Sequence, residues 1–189
     1  LYETKKVLLN LHDGREEVMG VSDGVVVVHT GKEAVKKILF SMFKDHKEER
    51  FMGFANMESV SGWLQVMSRA EINETNRIIK KNNLITDIVG PYGSIEDHFK
   101  ESGPEWAKDY EGRTASTVYV DKEYFKHNGQ LFAFRDSLYL LALNDQMIIE
   151  IRHSDIQKMI LSMYAFMRDG GEVVDANRIL RKLMGKDEK

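Results

Sequence analysis

The chain has 189 residues, 42% of them hydrophobic and 30% charged, which supplies the apolar side chains for one sizeable domain with its own core and excludes a wholly disordered polymer. Lys and Arg number 27 against 30 Asp and Glu, so the net charge of -3 offers no overall field for nucleic acid or an anionic membrane. With no cysteine, a disulfide framework, a thiolate zinc site and a cysteine nucleophile are excluded.

No run approaches the roughly 18 apolar residues that span a bilayer, and no secretory leader is seen. The expectation is a soluble, cytoplasmic protein. The chain opens on Leu1 rather than Met, so it is expected to be a fragment whose preceding segment carries part of the function. Tyr2 to Val18 reads either as a lead-in helix or as a hairpin broken at Asp13-Gly14. Residues 1–20 are taken as that lead-in and 21–189 as a single domain.

Val25 to Val28 is a β-branched run after Gly24 and is expected to be a strand buried on both faces. From Lys32 the period changes: Ala34, Val35, Ile38, Leu39, Met42 and Phe43 follow helical spacing, giving an amphipathic helix to about Glu48. Phe51 to Ala55 is a second strand. Ser59 or Ser61 can cap one continuous helix to about Lys81, with Trp63, Val66, Met67, Ala70 and Ile78 on one side. Leu84 to Val89 is a third strand, closed by the turn residues Gly90-Pro91-Tyr92-Gly93. This strand, helix, strand, helix, strand order predicts a parallel sheet covered by helices.

Ser94 to Glu111 reads as a short helix and loop. Four strands follow: Thr117 to Val120, Leu131 to Phe134, Leu138 to Leu143 and Met147 to Ile151. A helix starts at Ser154, with Ile156, Met159, Ile160, Met163, Phe166 and Met167 on one stripe, and stops at Gly170-Gly171. The ten methionines of the chain, several of them on this stripe, are read first as core filler and second as a flexible interface. A last helix, from about Asp175 to Met184, is expected to turn Ile179, Leu180 and Leu183 inward. The fold class is therefore α/β (α+β): an N-terminal βαβαβ unit followed by a β-meander, one mixed sheet with helices on both faces.

This order, with "VVVVHTGKEAVKKIL" first, "ERFMGFANM" second and "GQLFAFRDSLYLLALNDQMIIEIRHSDIQKMILSMYAFM" last, resembles a phospholipase-D-like domain, in the catalytically degenerate version found as the effector-binding part of TrmB-type transcriptional regulators. Gly31-Lys32-Glu33-Ala34-Val35 matches that pattern's strand-to-helix junction. Catalytic members of the superfamily use a His, a Lys two residues later and an Asp five beyond that: nucleophile, charge stabiliser and orienter. With Asp136 on the motif's Asp, the His position is Gly129 and the Lys position is Leu131, and no other histidine is expected to carry the set. The resemblance thus implies a fold retained for binding, without catalysis.

Of the residue-level candidates, His29, Asn56, Met57 and Tyr92 lie after parallel strands, where open α/β sheets bind ligands beyond the carboxyl ends. Arg77 is a candidate bidentate donor pointing toward the sheet, against the plainer reading of a surface pair with Glu74. Arg135-Asp136 is either a charged hairpin corner or a pocket edge. The six histidines, His12, His29, His46, His98, His127 and His153, show no metal-site spacing, and no phosphate-cradling glycine motif is present. No metal or cofactor is expected.

Three functions are weighed. The first is a non-catalytic ligand-sensing or dimerisation domain of a transcriptional regulator: a homodimer that binds a small-molecule effector, with sugar as the family-level guess, and reaches DNA only through a winged-helix domain outside the chain. The second is a phosphodiesterase or nuclease of the same fold with rearranged residues such as His29 or His127. The third is an oligomeric adaptor with no ligand.

Overall fold

The computed structural model describes residues 6–9, 16–21, 24–56 and 59–186, with side chains for 24–56 and 62–186. The expected crevice residue Met57 and the Asp13-Gly14 break lie outside these residues. Strands β1 (Lys6–Leu9) and β2 (Glu16–Val21) pair antiparallel, so the lead-in is a hairpin and not a helix. β2 pairs in turn with β3 (Gly24–Thr30).

The following elements are α1 (Lys32–Lys44), β4 (Arg50–Phe54), α2 (Ser59–Val66), α3 (Arg69–Lys81), β5 (Ile85–Pro91), α4 (Ser94–Tyr110) and β6 (Thr114–Val120). Then come β7 (Gln130–Ala133), β8 (Leu138–Ala142), β9 (Met147–Arg152), α5 (Ser154–Gly170), β10 (Glu172–Asp175) and α6 (Ala176–Leu183). All strands join one ten-stranded mixed sheet in the order β1-β2-β3-β9-β8-β7-β4-β5-β6-β10.

The parallel part is β4, β5 and β6. Successive antiparallel pairings from β3 through β9, β8 and β7 to β4 leave β3 pointing the same way as β4, with the meander between them. The expected βαβαβ order along the chain is present, but β3 does not touch β4. β6, read from the sequence as part of the antiparallel portion, extends the parallel one.

One sheet face carries α1, α2, α3, α4 and α6; α5 packs on the other, over β5, β6 and β7. The larger core joins Val35, Leu39, Phe43, Val66 and Ile79 from the helices to Phe51, Phe132, Leu141 and Ile148 from the strands. β3 is not buried on both faces: Val25 is 36% exposed and Val26, Val27 and Val28 are half-buried, because α5 does not reach it.

Four further expectations are corrected. α1 ends at Lys44 rather than near Glu48. The single helix from Ser59 to Lys81 is two helices, broken at Met67-Ser68, where Ser68 and Glu71 form a reciprocal capping box that starts α3. Ser94–Tyr110 is helical throughout except at Gly103, whose φ of 78° with Pro104 next to it kinks α4 into two segments. Strand β10, absent from the sequence reading, pairs antiparallel with β6 before α6 begins.

Met42 and Met67 are core residues and Met167 packs against the core, but the rest of the apolar α5 stripe is largely exposed. Met159, Met163 and Phe166 are 56%, 51% and 81% exposed, whereas Gln157 and Tyr164 are the buried residues of the helix. Gln157 Nε2 donates to Phe134 O at 2.9 Å and Tyr164 packs with Val89, Val118 and Phe125, and these two anchors fix which side faces the sheet. In α6, Leu180 is fully buried and Leu183 is 37% exposed.

Candidate functional site

Three helices stand off from the sheet over β4 to β7. Thr86 and Thr117, small polar residues of the strands beneath α2, α3 and α4, line the space between the helices and the sheet. That space is a cavity of about 210 Å³ between α2, α3, α4 and the sheet face. A single water needs only about 10–15 Å³ of such space, so the cavity has room for a small organic molecule.

Phe51 and Phe132 of the sheet, Trp63 of α2 and Ile79 of α3 make its apolar wall, and Asn76, Thr86, Thr117, Gln130 and Arg113 contribute polar groups. Both tryptophans of the chain, Trp63 and Trp106, line it. Trp63 Nε1 donates to Gln130 Oε1 at 3.1 Å, which turns a β7 amide toward the space.

At the inner end stands Arg113, 8% exposed, in the turn between α4 and β6. Its Nη1 donates to Asn76 Oδ1 and its Nη2 to Thr86 Oγ1, both at 2.7 Å. The guanidinium carbon lies 4.3 Å from the centre of the Tyr110 ring. Burial holds its pKa below the ordinary guanidinium value, but an arginine stays charged at neutral pH. Burial and, secondarily, the charge of Arg113 push His98 down to about 3, so this cavity residue is a neutral imidazole. Its ring stacks on Trp106 at 4.0 Å between centroids. Burial raises the Tyr110 phenol, with Arg113 opposing.

Of the residues expected at the site, Asn56 lines the cavity, but its Nδ2 donates to Phe125 O at 2.8 Å and to His127 O at 2.7 Å, which ties down the segment after β6. His29 is 4% exposed and lies on β3, four places from β4 in the strand order, its Nε2 3.3 Å from Glu150 Oε2. That bond, ahead of Arg152, holds the Glu150 carboxyl below the usual carboxylate range. Arg77 does not point toward the sheet: it is exposed and pairs with Glu74 at 3.3 Å and Asp109 at 3.5 Å. Tyr92 is 46% exposed and rests against Tyr119. Arg135 and Asp136 are exposed at the β7–β8 turn, with Asp136 4.0 Å from His46 Nε2.

The cavity is thus not the crevice beyond the strand ends. It runs beneath the helices from Asn56 and Ser94, at the carboxyl ends of β4 and β5, to Arg113 and Thr86 at the amino ends of β6 and β5. Sequence reading missed Arg113, Asn76, Thr86, His98 and both tryptophans as a set. The one available signal was an arginine in an "EGRTAS" turn leading into a strand.

The expectation that no histidine carries the family's spacing fails at one place. His98-Phe99-Lys100 holds it, with Glu105 at the acid's position. All three residues lie on α4, where positions two apart face different directions. His98 turns into the cavity, while Lys100 is exposed and pairs with Asp97 at 3.0 Å. The set therefore does not converge on one reacting atom.

A second polar cluster joins His46, Glu49 and Ser137. His46 Nδ1 meets Glu49 Oε1, and its Nε2 lies 3.4 Å from Ser137 Oγ. The order resembles a nucleophile, base and acid, but Ser137 is 2% exposed and the imidazole is stacked on Phe134. The cluster serves as an internal clasp between the end of α1 and the β7–β8 turn. Among the described residues no group of three or more His, Asp or Glu side chains gathers as a metal site, and no helix is long and apolar enough to cross a membrane.

No protein-family model matches the chain, and a search of curated proteins returns no match.

Proposed function

We propose that the chain is the ligand-sensing domain of a transcriptional regulator and is not an enzyme. The observation that carries this reading is the cavity of about 210 Å³, walled by both tryptophans and ending on the buried Arg113. Concave sites of mixed apolar and polar lining, with few convergent polar groups, are where small molecules bind. The order of elements supports the resemblance to a phospholipase-D-like domain: β3, α1, a parallel set of strands, a meander placed between β3 and that set, then the long α5. At the motif positions, Gly129 and Leu131 offer no nucleophile and no ammonium.

Signal transfer in this reading is a population shift. A ligand between α2, α3 and α4 favours one placement of the α4 segments about Gly103-Pro104. The homodimer belonging to this reading uses the exposed Met159, Met163 and Phe166 of α5. Its DNA reader is a separate winged-helix domain.

Intrinsic fluorescence tests the reading, because every tryptophan of the chain lines the cavity. Titration with a panel of sugars, sugar phosphates and organic acids is expected to give a saturable change with at least one compound, matched by a raised Tm. Hydrolysis of bis(p-nitrophenyl) phosphate that disappears in His127→Ala would instead make the chain an enzyme.

A further inference from the structure

Arg113 is a buried cation in the cavity lining, and among the described residues it has no counter-ion. Arg113 Nη1 and Nη2 are satisfied by neutral oxygens of Asn76 and Thr86, while its Nε has no acceptor. Asn76, 3% exposed, spends its carbonyl on Arg113, and its Nδ2 also has no acceptor. Among the described residues no carboxylate forms an ion pair with Arg113. A buried charge without an opposite charge is strongly destabilising, and a buried donor with no acceptor adds its own desolvation penalty. Here the cation and both orphan donors occur on two residues already in contact, and both residues line the cavity.

We propose that the cavity takes a small organic oxyanion, its carboxylate or phosphoryl head seated beside Arg113 and Asn76. Its uncharged body lies along Trp63, Phe51 and Phe132. The proposal rests on the ligand-binding reading of the cavity given above. The head must be an acceptor because the groups left over are N–H donors. It must be an anion because the fixed charge is a guanidinium, which binds such oxygens by charge-assisted bonds. The ligand has a body because the space exceeds a lone ion many times over. His98, a neutral imidazole in the same wall, adds no second positive charge, and Arg69 at the rim is committed to backbone carbonyls of α4. Glu105 of α4 also lines the cavity but is exposed to solvent, which leaves Arg113 as the buried charge of the lining.

The test uses probes with a shared pyranose body, glucose, glucuronate and glucose 6-phosphate, together with inorganic phosphate, each read by tryptophan fluorescence and by Tm. Glucuronate or glucose 6-phosphate is expected to bind at least about tenfold more tightly than glucose. Asn76→Asp places a carboxylate beside Arg113. It is expected to raise the Tm of the ligand-free protein and to abolish the response to the charged probes. Arg113→Met removes the unpaired cation and is expected to fold with an unchanged or higher Tm and no preference for the charged probes.

Glucose binding as tightly as its charged analogues would overturn the anionic head while leaving a ligand-binding cavity in place. Inorganic phosphate matching glucose 6-phosphate would overturn the organic body. A lower Tm for Asn76→Asp, or no response to either charged probe, would overturn the proposal as a whole.

Discussion

Arg69 and Ser102 close the cavity from above. From the first turn of α3, Arg69 Nη1 donates to Ser102 O at 3.2 Å and Nη2 to Glu101 O at 3.1 Å, gripping α4 one residue before the Gly103 kink. The contact is exposed, so it contributes little to overall stability, yet it ties the start of α3 to the kink in α4. Arg69→Ala is expected to lower stability by about 1 kcal/mol or less. It is also expected to accelerate amide exchange in residues 101–107 relative to the β4–β6 strands, as measured by mass spectrometry.

His98 makes the fold acid-sensitive. Burial and Arg113 hold it at about 3 against an ordinary value of 6.5, so between those pH values the unfolded chain binds a proton that the folded chain does not. Stability contributed by the neutral ring is fully present above about pH 6.5 and is lost as the pH falls, by of order 1 kcal/mol per pH unit. His98→Phe keeps a ring to stack on Trp106 and removes the titration. Its urea midpoint is expected to fall less between pH 7 and pH 4 than that of the unaltered protein.

Asp87 is the buried anion of the opposite sheet face. At 2% exposure it receives Arg50, Ser116 Oγ at 2.5 Å and Arg168 Nη1 at 3.7 Å, joining β4, β6 and α5. Asp87→Ala leaves two guanidinium groups short of their anion. The half-exposed side chains of Arg50 and Arg168 moderate the loss, and about 2–4 kcal/mol is expected from denaturant unfolding.

The apolar stripe on α5 gives a direct test of the proposed homodimer. Phe166→Glu places a charge on a residue 81% exposed, so the protomer fold is expected to change by less than about 0.5 kcal/mol. Sedimentation is expected to show the unaltered protein as a dimer and the variant as a monomer. A monomeric unaltered chain would end the dimer proposal.

Much of the fold was legible because periodicity reports exposure pattern along a single element. The meander from Gln130 to Arg152, the start of α5 at Ser154 and the parallel strands β4 and β5 follow from it. The break between α2 and α3 was hidden by an apolar run that continues through Val66 and Met67, although Ser68 and Glu71 carry the capping spacing. The outward stripe of α5 was misread for a different reason: periodicity gives a helix two faces, and Gln157 and Tyr164 decided which one packs. Least legible was the cavity. Asn76, Thr86, His98 and Arg113 come from α3, β5, α4 and a turn, and only the stacking of α3 and α4 on the sheet brings them together. Among the described residues, Asn56 alone of those expected lies there, and its amide is already engaged.

Thr86 and Asp87 are consecutive on β5, and a strand sends consecutive side chains to opposite sides. Thr86 holds the cation of the cavity; Asp87, one peptide link away, holds Arg168 near the end of α5. The two halves of the molecule are thereby back to back across a single layer of backbone. If the cavity binds a ligand as proposed, a shift of β5 toward it would be felt on the other face at Arg168, near the carboxyl end of the methionine-rich helix, alongside any movement of the α4 segments.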